Sequence, residues 1–267
     1  MGDLKGAASS GVTSSTSPVS PVNPLSPDGT AESTVSTCFA TADPQEVLQR
    51  VFGYGAFRGP QESIVRHVLA GGSGLVLMPT GGGKSLCYQV PALCRPGLAV
   101  VISPLIALMQ DQVEALQQLG VAAAALHSGL EADQASAVWR QLGAGQLKLL
   151  YVSPERIETD LFLEFLPALK PCLIAIDEAH CISQWGYDFR PTYLEIATIR
   201  ELFPSVPVLA LTATATSIVI ADIQEKLAMK KANVFRLSFE RRNLSYVVLY
   251  EKNKEQRLLK IFIITQF

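Results

Sequence analysis

A chain of 267 residues that is 48% hydrophobic has the apolar mass for one large or two small domains. Its net charge of −2 excludes a broad basic field, so any nucleic-acid contact must come from local lysine and arginine. The five cysteines (Cys38, Cys87, Cys94, Cys172 and Cys181) form no CxxC pair, and no apolar run is long enough to span a membrane. Reduced intracellular thiols are expected, with no zinc site.

Residues 1–42 are rich in Ser, Thr, Pro and Gly, with Pro18, Pro21, Pro24 and Pro27 recurring every three residues. Such a segment buries too little surface to offset its ordering entropy. A disordered tail with polyproline-like stretches is expected, and a ligand for a proline-reading module is the functional alternative. No basic segment followed by an apolar core marks a secretory signal, and the lack of arginine before Arg50 gives a transit peptide little support.

Asp43-Pro44 opens a helix with Val47, Leu48 and Val51 on one face, and Gln61–Ala70 reads as a second. Five short apolar runs follow: Leu75–Met78, Leu98–Ile102, Leu147–Val152, Leu173–Ile176 and Val208–Leu211. Runs without polar alternation belong to strands covered on both faces. Helical patterns lie between them at Leu105–Leu119, Glu131–Leu142, Tyr193–Phe203 and Ile218–Leu227. This alternation predicts an α/β fold with a parallel sheet, whose ligands gather at the carboxyl ends of the strands. After Phe239, a strand is expected over Leu244–Tyr250 and a helix start over Lys252–Lys260.

Met78-Pro79-Thr80-Gly81-Gly82-Gly83-Lys84-Ser85 follows the first apolar run and leads into a helix. Thr80 and glycines Gly81, Gly82 and Gly83 let backbone N–H groups fold around phosphate oxygens at a helix N-terminus. Lys84 would neutralise the β and γ phosphates of ATP, and the Ser85 hydroxyl would ligate Mg²⁺. The strict pattern places glycine where this chain has Met78. Asp177-Glu178 end another strand, and nucleotide hydrolysis needs one acid for Mg²⁺ and one group to orient water. Asp177 suits the first task and Glu178 the second.

Directly after these acids come His180, Trp185, Tyr187, Phe189 and Arg190, in a segment broken by Gly186 and Pro191. Aromatic rings interleaved with arginine suit flat bases.

The loop Thr80–Ser85 and the box Asp177-Glu178-Ala179-His180 resemble superfamily 2 helicases. Phe52–Gln61, Ser103–Gln112, Tyr151–Arg156, Ala210–Thr216 and the aromatic segment resemble the RecQ DNA helicases among them. The similarity extends roughly over residues 44–260. It implies a RecA-like P-loop three-layer fold with a mostly parallel central sheet. Residues 43–238 would form a first RecA-like ATP-binding domain and 239–267 the start of a second. Tyr54, Arg58 and Gln61 would hold adenine, with the Gln61 amide reading its edge. His180 would link the hydrolytic site to the rest of the motor. Trp185, Tyr187, Phe189 and Arg190 would sense single-stranded DNA, and Thr212 and Thr214 would couple the two domains. Ser103-Pro104 and Ser153-Pro154 would contact strand phosphates.

The implied activity is ATP- and Mg²⁺-dependent 3′-to-5′ unwinding of DNA, with single-stranded and forked substrates. The tail would reach repair or replication proteins, with no membrane partner. The compartment would be cytoplasm and nucleoid in a bacterium, or the nucleus in a eukaryote. The chain departs from the pattern at Tyr187, where the family usually carries histidine, and it is expected to end before the arginine fingers of the second domain. A non-catalytic form that binds ATP, DNA or partners is the alternative. Another superfamily 2 motor is the third reading, and the aromatic and Phe52–Gln61 segments argue against it.

Overall fold

The computed structural model describes residues 42–186, 188–229, 232–238, 250 and 252–264. Nearly all of the expected tail, Tyr187, and the expected strand Leu244–Tyr250 save its last residue lie outside the described residues.

Among the described residues, seven strands form one sheet: β1 (Gly74–Leu77), β2 (Ala99–Ile102), β3 (Ala123–Leu126), β4 (Leu149–Val152), β5 (Leu173–Ile176), β6 (Val208–Thr212) and β7 (Asn233–Arg236). Their spatial order is β3-β4-β2-β5-β6-β1-β7, and every neighbouring pair is parallel. The register aligns the carboxyl ends, with Ile102 opposite Val152 and Ile176, and Leu77 opposite Thr212.

Each central strand buries both of its faces, which is why its sequence does not alternate. Val76, Val101, Tyr151, Ala175 and Leu211 join one core, and Leu77, Val100, Val152, Ile176 and Ala210 join the other. The first core is closed by α1 (Pro44–Phe52), α2 (Gln61–Leu69), α3 (Leu86–Cys94) and α4 (Ile106–Gln118). The second is closed by α5 (Ala132–Gly143), α6 (Pro154–Ile157), α7 (Asp160–Leu169), α8 (Ile196–Leu202) and α9 (Ser217–Lys226). Helix–sheet–helix layering of the expected kind results. A further helix, α10, spans Lys254–Ile264.

Local chemistry sets the boundaries. The Asp43 carboxylate accepts from the Gln45 N–H to cap α1, and Gly53 closes that helix in the left-handed region at φ 72°. The expected helix Tyr193–Phe203 is instead a 3₁₀ turn, Pro191–Glu195, followed by α8. Strands β3 and β7 were not expected. Ala123-Ala124-Ala125 has little intrinsic strand preference, and pairing with β4 decides its state. β7 is an edge strand with Asn233 and Arg236 exposed.

The run Leu147–Val152 also conceals a charge. Lys148 is buried and donates from Nζ to the carbonyls of Arg95 and, at 2.7 Å, of Gly97. Among the described residues, no helix is long and apolar enough to cross a membrane.

Candidate ATP and nucleic-acid site

Residues 78–85 connect β1 to α3 at the carboxyl edge of the sheet. Gly81 and Gly83 have φ of 79° and 78°, a region side chains rarely enter. At Gly82 a Cβ would lie 2.9 Å from the Pro79 carbonyl oxygen. The loop is therefore a backbone cradle that only glycine can form. Met78, in place of the strict pattern's glycine, turns its side chain into the core and leaves its carbonyl to accept from Lys84 Nζ at 3.3 Å. Ser85 precedes the first turn of α3 and makes no capping bond with its side chain.

Tyr54, Arg58 and Gln61 line a cavity of about 130 Å³ together with Gly81, Gly82 and Gly83. Tyr54 is exposed and Gln61 is buried. Gln61 Oε1 accepts from the Arg58 N–H at 2.8 Å, while Nε2 donates to the carbonyls of Gly83 at 3.1 Å and Gly82 at 3.3 Å. Both ends of this amide are bonded to backbone, so pairing with a base edge would require exchanging those bonds. A larger cavity of about 480 Å³ lies at the opposite, amino ends of β2, β4 and β5, beside Gly97, Lys148 and Lys170. It contains none of residues 79–85.

Asp177 follows β5. Its N–H donates to the Ile102 carbonyl at 2.8 Å, and its Oδ1 accepts from the Glu178 N–H at 3.0 Å. Burial, and then the neighbouring Glu178 charge, push the Asp177 carboxyl up to about 6, against the pull of Lys84 and His180. Glu178 sits in the left-handed region at φ 47°, an uncommon position for a non-glycine residue. A hydrogen bond from His180 holds its carboxyl below the ordinary value. His180 Nδ1 lies 3.2 Å from Glu178 Oε2 and 2.9 Å from Thr212 Oγ1. The Cys181 thiol and then Glu178 raise its imidazole to about 10. Thr212 Oγ1 in turn donates to the Thr214 carbonyl at 3.1 Å and accepts the Thr214 N–H at 3.2 Å. Asp177, Glu178, His180, Thr212 and Thr214 thus share one hydrogen-bonded chain.

Two supports were invisible as such in the sequence. Tyr193 is buried and donates its hydroxyl to the Asp177 carbonyl at 3.0 Å. Gln89 Nε2, on α3, donates to Gln112 Oε1 on α4 at 2.9 Å and to the Tyr151 hydroxyl at 3.0 Å, joining the phosphate-loop helix to its neighbour.

The chain makes a 3₁₀ turn, Ala179–Ile182, that includes His180, and then presents Trp185, which is 72% exposed. Arg190 is bonded to Asp188 Oδ2 from Nε at 3.2 Å and from Nη2 at 3.1 Å, and its backbone N–H donates to the Cys181 carbonyl at 2.8 Å. Phe189 is half-buried. Ser103 and Ser153 do end β2 and β4, but both hydroxyls are buried, which removes them from a surface contact with phosphate.

At Gly186, a Cβ would collide with the His180 carbonyl oxygen and lie 3.0 Å from that of Ser183. Gly186→Ala is expected to cost about 1–3 kcal/mol and to displace Trp185. Urea unfolding and the Trp185 emission maximum check both effects.

Residues 58–223 match the DEAD/DEAH box helicase family. The chain belongs to this family. Within the DEAD/DEAH box helicases it is 49% identical over 220 residues to the ATP-dependent DNA helicase RecQ of Haemophilus influenzae, covering 82% of this chain and 35% of that protein. It is 44% identical over 214 residues to RecQ of Bacillus subtilis, covering 79% of this chain and 36% of that one. The chain therefore spans little more than a third of the length of these curated relatives. The Pyrococcus furiosus Hef helicase domain shares the fold, with a TM-score of 0.53 and 24% identity over 67% of this chain and 37% of that one. The RecA-like α/β architecture of a DEAD/DEAH box helicase is thus what the sheet order and the layers display.

Proposed function

We propose that this chain is the ATP-binding lobe of a RecQ-type, ATP-dependent 3′-to-5′ DNA helicase. One observation carries the reading: Asp177 and Glu178 stand within the electrostatic reach of Lys84, and the same continuous segment goes on to expose Trp185.

The residues fit Mg·ATP. The glycine cradle leaves room for phosphate oxygens, and Ser85 and Asp177 supply hard oxygen donors. Among the described residues, no cluster of three or more His, Cys, Asp or Glu side chains gathers for a metal. A magnesium site in such a loop draws only one or two carboxylates, the rest coming from phosphate and water. When bound, Mg²⁺ supplies charge neutralisation across the β and γ phosphates.

Lys84 holds the terminal phosphates by charge. Glu178, kept ionised by His180, accepts a proton from the attacking water and orients it. His180 passes any shift of Glu178 to Thr212 and Thr214. Trp185 and Phe189 take bases of a single strand, with stacking worth about 1–3 kcal/mol per base.

The unwinding cycle is proposed for the full-length architecture of the RecQ relatives, acting on tailed or forked DNA. The compartment in this reading is wherever the genome lies, cytoplasm and nucleoid or nucleus. The proline-spaced residues 18–27 are assigned to contacts with repair or replication proteins.

The test is equilibrium binding of a fluorescent ATP analogue with Mg²⁺ and of a labelled single-stranded DNA to the 267-residue chain. Wild type is expected to bind both, Glu178→Gln to keep analogue binding while losing turnover, and Trp185→Ala to lose DNA by about tenfold or more. Failure of the wild type to bind the analogue would sink the assignment. Equal or tighter binding of single-stranded RNA would replace DNA as the substrate.

A further inference from the structure

The aromatic segment is fastened to α9 at its root. Ser183, fully buried, donates its hydroxyl to Asp222 Oδ2 at 2.6 Å and accepts the Trp185 N–H at 3.2 Å. Lys226, one helical turn after Asp222, donates to the Ile182 carbonyl at 3.0 Å and pairs with Asp222 Oδ2 at 3.2 Å. Its Nζ also stands 5.7 Å from the centre of the Phe189 ring.

An Asp–Lys pair one turn apart on a helix is ordinarily a solvated surface contact of little consequence. Here the two side chains are only 17% and 23% exposed, and both turn inward onto one short segment. The chain of bonds Asp222–Ser183–Trp185 fixes the backbone that carries the exposed indole, and Lys226 stands over the ring of Phe189. The stretch 212–226 therefore holds the stretch 180–189 at two places, through Thr212 to His180 and through Asp222 and Lys226 to Ser183, Ile182 and Phe189.

The geometry points to Asp222 and Lys226 as positioning residues that present Trp185 and Phe189 to a single strand. This rests on the reading of Trp185 as a base-stacking residue. In this assignment neither residue contacts the strand itself. They act by holding the loop in the shape that a strand meets, so that its ordering does not oppose binding.

The experiment uses the whole 267-residue chain, with a dye-labelled oligothymidylate and a fluorescent ATP analogue in Mg²⁺. Asp222→Ala, Lys226→Met and Ser183→Ala are expected to weaken oligonucleotide binding by about tenfold each, with analogue affinity unchanged. The double variant Ser183→Ala/Asp222→Ala is expected to lose less than the two single losses combined, because both remove the Ser183–Asp222 bond. Asp222→Asn keeps an acceptor for Ser183 and is expected to restore much of the affinity lost in Asp222→Ala. A general loss of structure would lower both affinities and the urea midpoint together, and that pattern would overturn the proposal. Wild-type oligonucleotide affinity in the three variants, with Trp185→Ala impaired, would also overturn it. Undiminished binding by Trp185→Ala itself would remove the base-stacking reading, and this proposal with it.

Discussion

Lys84→Ala is expected to weaken Mg·ATP binding by about a hundredfold, roughly 3 kcal/mol, and to reduce any turnover by about 10²–10³-fold. The backbone cradle would survive, because its shape comes from Gly81, Gly82 and Gly83 rather than from the lysine. The charge balance would not. Lys84 draws the carboxyls of both Asp177 and Glu178 downward, so its removal leaves two adjacent acids with His180 as the cation opposing them. Titration of a fluorescent ATP analogue, alongside thermal unfolding of both proteins, separates lost binding from lost folding. Equal affinity in wild type and variant would show that phosphate is held elsewhere.

Asp177→Asn is expected to move function and stability in opposite directions. Mg²⁺-dependent hydrolysis should fall by at least about a hundredfold, since the carboxylate proposed to hold the cation is gone. Stability without Mg²⁺ near neutral pH should rise by up to about 3 kcal/mol. In the folded chain Asp177 titrates at about 6, against 3.8 in its ordinary state. Between those values the folded form holds more protons than the unfolded one. Raising the pH through that window therefore removes stability from the wild type, with the loss complete above it. Asparagine does not titrate and escapes the loss. Urea unfolding of both proteins at pH 4, 5, 6 and 8 in chelator reads the difference, which should open in favour of the variant as pH rises. A difference that stays flat or changes the other way would show that burial does not raise this carboxyl. Magnesium should narrow the difference, because it binds the ionised folded form of the wild type.

The candidate site at the carboxyl edge could be proposed from the sequence because its signals are local. The phosphate loop needs consecutive glycines before Lys84, and the acids follow an unbroken apolar run, so neither depends on distant chain. The central strands β1, β2, β4, β5 and β6 were legible for the same reason, since burial on both faces leaves Leu, Val and Ile in series. What escaped depends on residues far apart in sequence. Ala123–Leu126 is a strand because β4 lies beside it, not because alanine favours one. Gln61 stood out as a position, yet its bonds go to Gly82 and Gly83, which return to it only after the first strand has been laid down. Nothing in the expected helix Ile218–Leu227 singles out Asp222 or Lys226, and only the packing of α9 turns them toward the segment that follows His180. Lys148 inside an apolar run gave no sign that the carbonyls of Arg95 and Gly97 wait for it.

The order β5-β6-β1 has a metric consequence. The strand bearing the acids and the strand bearing the phosphate loop are not neighbours, because β6 runs between them and ends at Thr212. Two interstrand steps separate their tips by about 9.6 Å. Backbone hydrogen bonding sets that span, and a bound phosphate with its cation would have to fit within it. Side chains at the rim can be exchanged to change what reacts there, but the width of the bay is a lattice constant of the sheet. Thr212, standing at its midpoint with His180 on its hydroxyl, is placed like the pointer on a gauge whose two jaws are Lys84 and Asp177.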